Sequence, residues 1–161
     1  MEIIRKNIEK GRTVFFNGTH YVKVWDNLPT DWIHNHVALL HEHNPGYVAS
    51  YGSNWISYNI IPGVPASTFN HTPEFIKRIY NFCIGNIKET SPYAHGDWSL
   101  SNMLINGDRI VLCDWDNLGI YPKEEVESKM TKDLIDAFGI EAMQHVLPSL
   151  DPSADRLCPN L

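Results

Sequence analysis

Three oxygen-bearing side chains that could do chemistry together are Asp97, Asn102 and Asp114. They lie in the stretch His95-Gly-Asp-Trp-Ser-Leu-Ser-Asn102, followed by Met103-Leu-Ile105 and then Val111-Leu-Cys-Asp-Trp-Asp116. A carboxamide and a carboxylate are hard oxygen donors of the kind Mg²⁺ accepts, since that ion commonly takes one or two protein oxygens and completes its shell with phosphate and water. A further carboxylate beside such a pair can take the proton of an attacking hydroxyl. For this to work, Asn102 and Asp114 must meet. Asn106-Gly107-Asp108 is a turn signal between two apolar, β-favouring runs. It predicts a hairpin over 103–113 whose open end carries Asn102 and Asp114, with Asp97 at the mouth. Asp108 is then a turn residue only. An isolated Asp-x-Asp carries little information; His-Gly-Asp, four residues, Asn, strand, turn, strand and Asp-Trp-Asp together carry much more.

That string resembles the catalytic and metal-binding loops of aminoglycoside phosphotransferases, choline kinases and related kinase-like enzymes. The resemblance implies ATP and Mg²⁺ as cofactors and phosphoryl transfer to a hydroxyl acceptor, expected to be a small molecule. Asp97 matches the catalytic Asp, Asn102 the first metal ligand, and Asp114 the main one. Asp116 matches the acidic residue that often follows, and His95 a residue that supports the loop. Further out, Tyr21-Val-Lys-Val24 is similar to the strand whose lysine holds the α- and β-phosphates, which singles out Lys23. Asn59-Ile-Ile-Pro-Gly63 looks like the hinge where backbone groups of Asn59, Ile60 and Ile61 hold the base. Lys132-Asp-Leu134 matches a stretch that makes Asp133 an anchor beneath the catalytic loop. Ser99 and Ser101 could contact phosphate, but turn hydrogen bonding is the safer assignment.

The chain departs from that family pattern in three places. The helix glutamate expected to pair with Lys23 is replaced at the aligned position by Asn35 or His36, and Glu42 lies near the helix end. Gly11 is the sole glycine before Thr13-Val-Phe-Phe16, so there is no glycine-rich loop. The stretch after Asp114 is short for the helices that the resemblance implies around an acceptor.

The elements that must position these groups read as follows. Thr13–Phe16 and His20–Trp25 form a hairpin around Asn17-Gly18, with Glu2–Ile4 as a third short strand. Thr30 caps a helix with Ile33, His36, Val37 and Leu40 on one face, and Asn44-Pro45-Gly46 stops it. Tyr47–Tyr51 and Trp55–Ile61 are strands, and Pro62-Gly63-Val64-Pro65 breaks the pattern. A second helix starts at Thr72 as cap with Pro73 at its first position and ends before Ser91-Pro92. A last helical region covers about 129–146 with a bend near Gly139, and the tail from Pro148 is irregular. Strands and helices are segregated, not alternating, which defines an α+β class. With the resemblance, the expectation becomes a minimal protein-kinase-like two-lobed fold. It has a reduced N-terminal sheet lobe over about 1–58, a hinge at 59–63 and a shortened helical lobe over about 63–161.

Composition bounds the rest. The 161 residues are 43% hydrophobic and 20% charged, ordinary for a globular domain. Thirteen basic residues face 19 acidic ones for a net charge of −6, which argues against a nucleic-acid partner. Three scattered cysteines, a polar N-terminal stretch and the lack of a long apolar run lead to the expectation of a cytoplasmic protein without a membrane partner. The four histidines at 34, 36, 41 and 43 lack a metal-site motif and read as a histidine-rich helix face. A second subunit could complete the acceptor wall, so a homo-oligomer is among the expected partners. Two other classes fit the same residues: a nucleotide-binding regulatory module with weak or no transfer, and a small protein kinase.

Overall fold

The computed structural model describes residues 2–29 and 31–147. The chain divides into two compact units, Met1–Pro62 and Gly63–Leu161. Its class is mixed α+β, with a five-stranded antiparallel sheet in the first unit and a two-stranded sheet, a three-stranded sheet and most of the helix in the second.

In the first unit the strands are β1 (Glu2–Asn7), β2 (Arg12–Phe16), β3 (His20–Trp25), β4 (Val48–Tyr51) and β5 (Trp55–Asn59), and the helix α1 spans Trp32–His43. The sheet order β1-β2-β3-β5-β4 puts β3 in the centre. The expected hairpin forms, but its corner is shifted. Phe16 pairs with Tyr21, and the Asn17 N–H donates to the His20 carbonyl. The Asn17 carboxamide oxygen accepts from Thr19 N and His20 N at 3.0 and 2.8 Å. Asn17 therefore caps the turn from its edge, while Gly18 (φ 95°) supplies the left-handed residue. Ile33, His36, Val37 and Leu40 are buried along α1, as helical spacing requires. Its N-cap residue is Asp31, at φ 67° and without a side-chain cap bond. The expected cap Thr30 lies outside the described residues.

The second unit contains β6 (Val64–Pro65), α2 (Pro73–Thr90), β7 (Tyr93–Ala94), β8 (Met103–Asn106), β9 (Arg109–Leu112), β10 (Gly119–Ile120), α3 (Lys123–Phe138) and α4 (Ile140–Gln144). Helix α2 forms as its sequence dictates: the Thr72 hydroxyl accepts from Phe75 N, Pro73 opens the first turn, and Glu74 meets the positive end of the dipole. It buries Ile76, Ile79, Cys83 and Ile87 and packs on α3, which buries Val126, Met130 and Leu134. Each such aliphatic side chain contributes about 1.5–3 kcal/mol on full burial.

Two expectations need correction. The last helical region begins at Lys123, not near 129. Its first turn, Lys123-Glu124-Glu125, is polar and follows Pro122, so it is set by terminal charge and proline rather than by an apolar stripe. Gly139 at φ 85° then separates α3 from α4. Val64-Pro65 is not a simple break: it pairs with Ile105 and Leu104 to give the sheet order β6-β8-β9. The tail from Pro148, and with it Cys158, lies outside the described residues. Among the described residues no helix is long and apolar enough to cross a membrane.

Candidate active site

The hairpin β8–β9 builds the first part of the site. Its last ladder pair is Met103 with Leu112, and one further bond, Cys113 N to Asn102 O at 2.8 Å, carries the pairing past the strand ends. Asn102 and Asp114 are thereby held on adjacent backbone at one end of the hairpin. Asn102 is buried. Asp114 sits at φ 61°, ψ 57°, a left-handed conformation uncommon for a non-glycine residue, which costs on the order of 1–3 kcal/mol. It turns the chain out of β9 into a short 3₁₀ turn at Trp115–Asn117 that contains the half-buried Asp116. Trp115 is buried, and its indole N–H donates to the Leu112 carbonyl at 2.9 Å.

The donor set suits a hard divalent cation. Among the described residues no group of three or more His, Cys, Asp and Glu side chains could hold a metal by itself. One carboxamide oxygen and one carboxylate are too few for a protein-only cage. They are the number Mg²⁺ takes when phosphates and water complete its octahedron.

The loop from His95 to Asn102 is clamped against that hairpin end. The His95 ring is fully buried, its Nε2–H donates to the Cys113 carbonyl at 2.8 Å, and its edge meets the Trp115 ring at 4.7 Å. Burial lowers the His95 pKa, outweighing the Cys113 carbonyl and the Asp97 and Asp114 carboxylates, which favour the charged form. The ring is therefore neutral at pH 7, with its proton on Nε2. Gly96 follows at φ 76°, and a Cβ there would stand 2.7 Å from the Asn117 carbonyl oxygen, so only glycine fits. Asp97 is half-buried, and its Oδ1 accepts from Ser99 N at 3.2 Å. Trp98 is buried, and its backbone N–H donates to Asp133 Oδ2 at 3.2 Å; the same oxygen accepts from Lys129 Nζ at 2.6 Å. The Ser99 and Ser101 hydroxyls lie 3.1 Å apart and bond to each other. His95, Asp97, Ser99, Asn102, Asp114, Asp116 and Asp133 thus belong to one connected assembly within the second unit.

Beside this loop is a cavity of about 430 Å³ lined by Gly96, Trp98, Tyr121, Glu125 and Lys129 among others. That volume is within the ~300–1,000 Å³ range of small-molecule pockets. Tyr121, Glu125 and Lys129 were not legible as pocket residues, because the start of α3 carries no apolar period. The proline before Lys123 was the one signal that could have placed them.

The remaining candidates lie in the first unit. Lys23 is 7% exposed on the central strand, not the solvated lysine that a strand position alone implies, and its Nζ lies 5.2 Å from the Tyr58 ring centroid. His36 of α1 stacks on Trp32 at 4.6 Å. Burial, and secondarily the Lys23 charge, lower its pKa to about 4. Asn59 is committed inside the unit: its N–H donates to the Tyr47 carbonyl and its carboxamide to Gly46 O at 2.7 Å. Of the three residues given a base-holding role, Ile60 and Ile61 follow the strand end, with Ile60 47% exposed. Before β2 the chain makes a tight turn at 8–11 closed by Gly11 N to Ile8 O.

No family model matches the sequence, and no curated protein matches it. Among solved structures, a spectinomycin phosphotransferase in complex with ADP and spectinomycin is similar over 89% of this chain and 78% of its own, with 12% identity and a TM-score of 0.45. At that identity and TM-score the likeness assigns neither family nor activity to this chain.

Proposed function

We propose that this chain is a minimal kinase-like phosphotransferase that moves the γ-phosphoryl group of ATP to a hydroxyl of a small acceptor. The observation that supports it most is the Cys113 N–H···O=C Asn102 bond. It joins the backbone of the two segments that carry Asn102 and Asp114, while His95 and Asp133 tie down the loop that carries Asp97. In this reading Asn102 and Asp114 hold Mg²⁺, which supplies charge neutralisation at the β- and γ-phosphates when bound. Within the first unit, Lys23 is the candidate for the α- and β-phosphates, and the backbone of Asn59, Ile60 and Ile61 the candidate for the base. The acceptor occupies the cavity beside Gly96 and Trp98. Its oxygen attacks phosphorus, the bond from phosphorus to the bridging oxygen of ADP breaks, and the hydroxyl proton passes to Asp97. Most of the rate would come from positioning and charge.

The test is Asp97→Asn, which keeps the side-chain shape and removes the proton acceptor without touching either proposed metal ligand. Phosphoryl transfer, or basal ATP hydrolysis with no acceptor, is expected to fall about 10²–10⁴-fold. Mg²⁺-ATP affinity measured by calorimetry is expected to stay within a factor of two or so, the scatter allowed a change away from the metal. Turnover equal to wild type would remove Asp97 from the mechanism.

A second reading, a nucleotide-binding module without transfer, is favoured by one observation: the turn at 8–11 offers Gly11 alone where a glycine-rich phosphate cover would be expected. Tight Mg²⁺-ATP binding by the wild-type protein, with no transfer to any alcohol, amine or protein acceptor, would select that reading.

A further inference from the structure

Lys23 raises a question that its proposed role does not answer. A lysine that grips phosphates must be held in one place, or the entropy of its four-carbon stem is lost on every binding event. The expected holder is a carboxylate on the helix packed over the sheet. Helix α1 reads Trp32-Ile-His-Asn-His-Val-Ala-Leu-Leu-His-Glu-His43. Its one acid, Glu42, is exposed in the last turn, and the residue it sets near the Lys23 charge is the buried His36.

The sheet supplies a different holder. Lys23 is directly opposite Ile56, and Tyr21 opposite Tyr58, so Lys23 and Tyr58 are diagonal neighbours on the same face of β3 and β5. The Tyr58 ring is buried and tilted against Tyr47 at 4.8 Å, which fixes its plane. The Lys23 ammonium lies over that ring at 5.2 Å. This is within the ~6 Å over which a ring quadrupole attracts a cation. A ring face attracts an ammonium without consuming any of its N–H donors, so the contact is compatible with phosphate binding in a way that a bidentate carboxylate is not. His36 of α1 is itself held by stacking on Trp32.

We propose that the Tyr58 ring is a positioning residue for Lys23. The role in nucleotide binding rests on the reading of Lys23 as a phosphate-holding residue; the positioning itself does not.

Two measurements separate the claims. The first is the NMR shift of the Lys23 Hε protons in full-length protein, without nucleotide. A proton over a ring face resonates upfield of ordinary lysine, so wild type and Tyr58→Phe should show the upfield signal and Tyr58→Leu should not. An ordinary Lys23 shift in the wild type overturns the proposal, as does an upfield shift that survives in Tyr58→Leu. The second is calorimetric Mg²⁺-ATP binding. Tyr58→Phe should match wild type. Tyr58→Leu should bind about tenfold more weakly, the equivalent of about 1.4 kcal/mol, within the range for a desolvated cation–ring contact. If Tyr58→Leu does not fold, His36→Glu takes its place. The introduced carboxylate should draw the ammonium off the ring and abolish the upfield shift in a folded protein, and an unchanged shift overturns the proposal. Wild-type ATP affinity in Lys23→Ala, with the upfield signal intact in the parent, overturns the phosphate reading and leaves the positioning standing.

Discussion

Gly96 and Asp97 are neighbours that carry different constraints. Asp97 is defined by what its carboxylate can accept; Gly96 is defined by what cannot be added to it. A methyl group at Gly96 meets the Asn117 carbonyl oxygen at 2.7 Å and must also tolerate φ 76°. Gly18, at φ 95°, has nothing within 4 Å of the added Cβ and is a control for the dihedral cost alone. Gly18→Ala is expected to lose about 1 kcal/mol, the ordinary penalty for a left-handed alanine. Gly96→Ala is expected to lose about 2–4 kcal/mol, since the backbone must also shift, and under the proposed function to lower transfer as well, because Asp97 moves with it. Urea midpoints of the two variants provide the check. Equal losses would mean that the close approach at Asn117 relaxes without consequence.

Among the elements, α2 is the one whose ends are most fully explained. Thr72→Ala removes the oxygen that accepts from Phe75 N at 3.3 Å. It should cost about 1 kcal/mol, visible as a fall in Tm without a change in secondary structure, whereas Thr72→Ser should be nearly silent. A Tm for Thr72→Ala equal to wild type would contradict the cap. This helix was legible because cap, proline and apolar stripe agree over 72–87. The hairpin β8–β9 was legible for a similar reason, an Asn-Gly-Asp turn between apolar runs. Strands of two residues such as β6, β7 and β10 were not, because two residues cannot display an alternation. The left-handed Asp114 and the His95 bond across 18 residues were also invisible, since neither leaves a periodic trace. Lys23 was legible as a candidate from the resemblance. Its burial, with the ammonium over the Tyr58 ring, was not, because a strand lysine is by default a solvated one.

At the scale of the whole molecule, acid stability follows from the buried histidines. His36 has an ordinary pKa of 6.5 when unfolded and about 4 when folded. As pH falls through that window the unfolded chain takes up a proton that the folded chain refuses, so stability is full above about 6.5 and is lost towards 4. At ~1.36 kcal/mol per unit the loss is roughly 3 kcal/mol, a large share of the ~5–15 kcal/mol that holds a domain together. His95, lowered in the same direction by burial, adds to it. Unfolding free energies measured from pH 7 to pH 4.5 should fall in wild type and fall less steeply in His36→Gln. The same slope in both proteins would show that His36 takes its proton normally in the fold.

The clamps around the loop from His95 to Asn102 share a property that bears on inheritance. His95 reaches the carbonyl of Cys113, Asp133 accepts the backbone N–H of Trp98, and Cys113 joins Asn102 by main-chain atoms at both ends. None of these bonds uses the thiol of Cys113 or the indole N–H of Trp98. Every amino acid except proline can offer the N–H and the carbonyl that position 113 uses, and the N–H that position 98 uses. Trp98 is kept by its burial, whereas the half-buried Cys113 can be exchanged while the geometry persists. The record of the site is written at 95, 96, 97, 102, 114 and 133, and a library varied at 113 alone should preserve these bonds in every member but proline.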